Sequence, residues 1–103
     1  MNAAPSAAPA NRLERIRVQL AQALPDAAIE LIDDSHQHAG HAGARDGRGH
    51  FRVRIVSGAF AGLRPLQRHQ LVYRALDELM RTDIHALSIT ALTPAEVGAA
   101  EER

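Results

Sequence analysis

From Gly49 to Ser57 the side chains alternate without a break. Phe51, Val53 and Ile55 fall on one side, and His50, Arg52 and Arg54 on the other. A period of two belongs to a β-strand with one dry face and one wet face. Such a strand needs neighbours in a sheet and an apolar layer beneath it, and the rest of the chain supplies both. Leu13, Ile16, Leu20 and Leu24 recur at helical spacing. Asn11 caps that helix with Glu14 three residues on, and Pro25-Asp26 closes it, which predicts a helix over residues 11–24. Ala28 to Ile32 reads as a short strand ending at Asp33-Asp34, paired antiparallel with the alternating segment. Pro65 suits the first turn of a second helix, whose apolar face runs through Val72, Leu76 and Leu79 to about residue 81. Ile84 to Leu92 predicts a third strand, with Leu87, Ile89 and Ala91 on one side. Thr93-Pro94-Ala95-Glu96 then combines a cap, a proline at the first helical position and a glutamate three residues after the cap, so a short terminal helix is expected.

The order helix, strand, strand, helix, strand, helix predicts an α+β domain of two layers. A three-stranded mixed sheet carries the helices on one face and leaves an Arg-bearing face open on the other. With 103 residues there is room for one such domain. It is placed at residues 11–97, between a flexible tail over 1–10 and a frayed C-terminal tail over 98–103.

Composition excludes several functions. The chain has no Cys, so it has no disulfide framework, no thiolate zinc finger and no catalytic thiol. No apolar run approaches the ~20 residues of a membrane span, so no membrane partner is expected. Residues 1–10 lack the basic and apolar regions of a secretory signal and contain no Arg, which favours the cytoplasm. Asp33-Asp34 near His36 could be drawn as an acid/base group. There is no nucleophile motif or phosphate loop beside it, so no enzyme is expected. Net charge is zero, but it is unevenly spread: residues 45–74 are +6, against −2 before and −4 after. The middle third reads either as a basic patch for nucleic acid, through Arg52, Arg54, Arg64 and Arg68, or as a solvated face answered by its acidic flanks.

Histidine is the chemical signal. Three of the six crowd into His36-Gln37-His38-Ala39-Gly40-His41, within a Gly- and His-rich loop over residues 35–49. This spacing brings three borderline-soft nitrogens within reach of one metal ion, and it is also compatible with a solvated polar loop. His69 falls near the edge of the buried face of the second helix, where a hydrogen-bonded boundary role is the ordinary one. His85 shares the parity of Leu87 and Ile89 and is expected to pack inward.

Several motifs in order resemble the BolA-like protein family. They are Asp34-Ser35-His36-Gln37-His38-Ala39-Gly40-His41-Ala42-Gly43, His50-Phe51-Arg52-Val53, Phe60-Ala61-Gly62-Leu63, Arg68-His69-Gln70-Leu71-Val72-Tyr73 and Ile84-His85-Ala86-Leu87-Ser88-Ile89 with Thr93-Pro94. The resemblance spans about residues 11–97. It implies a class II KH-like fold and a non-enzymatic partner of monothiol glutaredoxins. The two proteins would share a two-iron, two-sulfur cluster in iron–sulfur assembly, trafficking and iron homeostasis. It also implies the alternative of a DNA-binding transcriptional regulator. Among the residues, it implies His69 as one ligand and a loop histidine as the other: His38, with His41 in competition and His36 as a further candidate. The partner would add its active-site thiolate and glutathione. Two imidazoles on one iron, as in Rieske-type centres, raise the cluster potential. A ligand on a loop can swing away and hand the cluster on, and imidazole protonation below about pH 6 would compete with binding. The expected partners are thus a monothiol glutaredoxin, with DNA and a weak homodimer as further possibilities that the sequence leaves open.

Overall fold

The computed structural model describes residues 12–34 and 49–101. The helix α1 spans Arg12–Ala23, the strand β1 Ala28–Asp33 and the strand β2 Gly49–Val56. A 3-10 turn over Gly58–Phe60 leads to α2, Pro65–Leu76, and a single helical turn α3, Leu79–Thr82. The strand β3, Ile84–Leu92, and the helix α4, Pro94–Glu101, complete the described residues.

The sheet order is β1-β2-β3. β1 pairs antiparallel with β2, from Ala28 opposite Val56 to Asp33 opposite Phe51. β3 pairs parallel with β2, which requires a crossover, and α2 with α3 provides it. The helix-side face of β2 buries Phe51, Val53 and Ile55, as the alternation predicts. Against them pack Ile16, Leu20 and Leu24 of α1, Phe60 of the 3-10 turn, Val72 and Leu76 of α2, and Ile84 of β3. Each of these side chains is all but removed from water, and each such burial stabilises the fold by ~1.5–3 kcal/mol.

Polar contacts set the corners. Ser57 donates its hydroxyl to Asp26 Oδ1 at 2.7 Å, and the Gly58 N–H donates to Asp26 Oδ2 at 2.8 Å. The α1–β1 turn is thereby tied to the exit of β2, and these two hydrogen bonds hold the Asp26 carboxyl below its ordinary range. At the start of α4, the Glu96 N–H donates to Thr93 Oγ1 at 3.1 Å and the Thr93 N–H donates to Glu96 Oε1 at 2.9 Å. This is the reciprocal cap expected from the sequence.

Two expectations are corrected. The single helix over 65–81 is two helices. α2 ends at Leu76, and Asp77 takes φ +46°, a region that only glycine enters without cost. The second correction concerns β3. Gly49 pairs with Ile84, but His50 pairs with Ala86, so His85 is an extra residue in the ladder. A bulge of this kind shifts the side-chain parity of its strand. Ile84 faces the core, and His85 is exposed instead of packing inward.

Candidate metal centre

The bulge decides where the ordered histidines meet. On the outward face of the sheet, away from the helices, the His85 ring lies beside the His50 ring. Their centroids are 5.1 Å apart and their planes 46° apart. His50 is half-buried, and its Nε2 is enclosed. Regular pairing through β3 would have pointed His85 into the core.

This pair stands at the root of the segment that carries the other histidines. The Asp34 N–H donates to the His50 carbonyl at 2.8 Å, and the Gly49 N–H donates to the Asp83 carbonyl at 2.9 Å. Asp34 and Gly49, the described residues that flank positions 35–48, are therefore pinned beside the two rings. His36, His38 and His41 lie outside the described residues, as do Arg45 and Arg48. Among the described residues, no three His, Asp or Glu side chains converge as a metal cage.

The backbone beneath His85 is anchored by Asp83. Its carboxylate is nearly buried and is bound by Arg15, by Arg12 Nε at 3.3 Å and by the Thr82 hydroxyl at 2.6 Å. Burial opposes ionisation of this carboxyl. The hydrogen bonds from Thr82 and Arg15 and the charges of Arg15 and Arg12 outweigh that effect, so it titrates below its ordinary range. The first turn of α1 is thus clamped to the start of β3.

His69 is placed elsewhere. It is half-buried on α2, one residue after Arg68. The Arg68 guanidinium reaches the Leu63 carbonyl at 2.9 Å and the Ala91 carbonyl at 3.0 Å. Ala91 pairs with Ile55, six residues along β2 from the loop root at Gly49. At ~3.3 Å per residue that separation is roughly 20 Å. Among the described residues, His69 has no ring contact with the His50–His85 pair. The sequence held a signal for His85 that strand parity overlooked. Ile84, Leu87 and Ile89 can all face inward only if one residue between Ile84 and Leu87 is extra.

The four arginines considered for nucleic acid do not share a face. Arg52 and Arg54 lie on the outward face of β2, where Arg54 stands opposite Glu30 and Thr90. Arg52 donates to Asp34 Oδ2 from Nη2 at 2.8 Å and from Nε at 3.1 Å. Arg64 caps α2 on the helix layer. Arg68 is a structural residue. It is bidentate to Glu96 at 2.8 and 3.0 Å, lies 6.0 Å from the Phe60 ring centroid, and its side chain is 12% exposed.

The chain is similar to known proteins over most of its length. Residues 20–96 match the family model described as BolA-like protein. The mouse BolA-like protein 1 is 48% identical over 81 residues, covering 79% of this chain and 57% of the relative. The Arabidopsis thaliana SufE-like protein 1, chloroplastic/mitochondrial, is 48% identical over 88 residues, covering 81% of this chain and 24% of the relative. The solved BolA domain of SufE1 from that plant superposes with a TM-score of 0.73 at 44% identity. The match covers 91% of this chain and 99% of that domain. The Escherichia coli DNA-binding transcriptional regulator BolA is 38% identical over 80 residues, covering 78% of this chain and 73% of the relative. The chain thus spans a quarter to about half of the length of the two eukaryotic relatives. Among the described residues, no helix is long and apolar enough to cross a membrane.

Proposed function

This chain belongs to the BolA-like protein family, and from that premise we propose that it is a binding partner, not an enzyme, which lends histidine to a two-iron, two-sulfur cluster completed by a monothiol glutaredoxin. The observation that carries the proposal is the exposed His85 ring at the root of the segment that holds His36, His38 and His41. His85 is the fixed ligand, and one of the three loop histidines is the second. His69, on α2, is assigned no ligand role in this reading.

The donor set fits the group. A cluster of this type is usually held by four thiolates, with two histidines replacing two thiolates on one iron in Rieske-type centres. This chain has no Cys, so it offers only nitrogen, and the partner must bring sulfur from its active-site thiol and glutathione. When bound, the cluster supplies redox-active iron, with its potential raised on the imidazole side. The chain's own work is positioning. The Asp83 clamp and the Gly49–Asp83 hydrogen bond fix the β3 backbone, and the bulge turns His85 outward. The role that follows is cluster assembly and trafficking within iron homeostasis.

Co-production with a monothiol glutaredoxin tests the proposal. A coloured heterodimer whose visible absorption and circular dichroism change in His85→Ala and stay the same in His69→Ala supports it. A colourless pair contradicts it, as does a spectrum that His85→Ala leaves unchanged.

One observation favours DNA binding as an additional activity. Arg52 and Arg54 stand two residues apart on the open sheet face beside Ser88 and Thr90, and a relative carries a DNA-binding regulator's name. With Arg52 held by Asp34, Arg54 is the cation to change. On this reading, affinity for a DNA duplex falls steeply with salt and falls again in Arg54→Glu. Affinity indifferent to both removes it.

A further inference from the structure

We propose that His50 and His85 form a seat for one borderline divalent cation, of the Zn²⁺ or Co²⁺ class, that requires neither the 35–48 segment nor a partner protein. This goes beyond cluster sharing: it concerns the isolated chain, and His50 becomes a ligand in its own right.

The ring spacing suits two imidazoles on one ion. With metal–nitrogen bonds of ~2.0–2.1 Å and tetrahedral angles, two coordinated imidazoles hold their centroids about 5 Å apart. The observed separation is 5.1 Å, with the rings tilted by 46°. Imidazole suits Zn²⁺, Cu²⁺ and Ni²⁺ better than it suits hard cations.

The seat is also built on rigid parts. Both ligands come from paired strands of one sheet, not from a loop. The backbone on either side of the bulge is held by the Gly49–Asp83 hydrogen bond and by the clamp of Arg12, Arg15 and Thr82 on the Asp83 carboxylate. Ligands held in advance lose little freedom on binding. The third outward residue at the bulge is Ala86, which places only a methyl group beside the exposed His85 ring. Arg52, two residues along β2, is paired with Asp34, which lowers the repulsion a dication would meet there. Two protein ligands leave the remaining coordination positions to water.

The test uses the isolated full chain without iron, sulfide or glutaredoxin. Zn²⁺ is titrated calorimetrically, and Co²⁺ by its visible absorption. One ion per chain is expected. His85→Gln and His50→Gln should each weaken binding at least tenfold, while the triple change of His36, His38 and His41 to Ala keeps it within threefold. Thermal melts without metal check that the His50 variant is folded, and the exposed His85 provides a second variant that burial cannot compromise. Absence of one-to-one binding up to millimolar metal overturns the proposal. So does indifference to the two strand variants, or a loss in the loop variant as large as theirs. Because no cluster is involved, failure here leaves the glutaredoxin reading intact, and failure of cluster sharing leaves this one intact.

Discussion

Gly49 donates its N–H to the carbonyl of Asp83 at 2.9 Å, joining the first residue of β2 to the residue just before β3. The hydrogen bond sits immediately ahead of the bulge. It fixes the point from which Ile84 turns into the core and His85 turns out to the His50 ring. The outward histidine pair therefore depends on backbone register, not on a long-range loop movement.

The Asp83 clamp should matter to stability. Asp83→Asn removes the charge that Arg12 and Arg15 answer, inside a nearly buried site. The expected loss is about 1–3 kcal/mol in urea-induced unfolding. A variant as stable as the parent would show that the clamp is incidental.

The Arg68–Glu96 pair gives the fold a dependence on acid. Hydrogen bonds from Arg68 lower the Glu96 carboxyl to about 2. A depressed folded-state value means that the stabilisation is complete above the unfolded value of 4.5 and is lost as pH falls from there toward about 2. Melting temperatures of the parent and Glu96→Gln should differ at pH 7 and converge as pH falls through that window. A difference that does not change with pH would contradict this.

Asp77 stores strain at the α2–α3 break, where its φ is +46°. Glycine adopts positive φ at no steric cost. Asp77→Gly should therefore stabilise the fold by about 1 kcal/mol, and the β-branched Asp77→Val should destabilise it by at least as much. Equilibrium unfolding of the two variants decides the sign.

Much of this fold is legible in the sequence, because its signals are local. The alternation of Phe51, Val53 and Ile55 sets the dry face of β2. The spacing of Ile16, Leu20 and Leu24 sets α1, and Thr93-Pro94 with Glu96 marks the start of α4. The helix break is not legible. No Gly or Pro marks it, and Leu76, Leu79 and Met80 have the same apolar spacing in one helix or in two. The site is half legible. The crowded histidines of residues 36–41 are conspicuous, but His85 was misdirected by a strict period of two that the bulge interrupts. His69 drew attention through its motif, and it lies on α2 without a ring contact to the His50–His85 pair. Arg68, read as a surface cation, is spent on Glu96 and two backbone carbonyls.

The most direct test of the central claim is pulsed electron paramagnetic resonance on the reduced complex with a monothiol glutaredoxin, with this chain's histidines labelled with ¹⁵N. The account predicts coupling of the cluster spin to two imidazole nitrogens, one of which disappears in His85→Ala and both of which persist in His69→Ala. Nitrogen coupling that vanishes in His69→Ala and survives in His85→Ala would contradict it, as would no imidazole coupling at all.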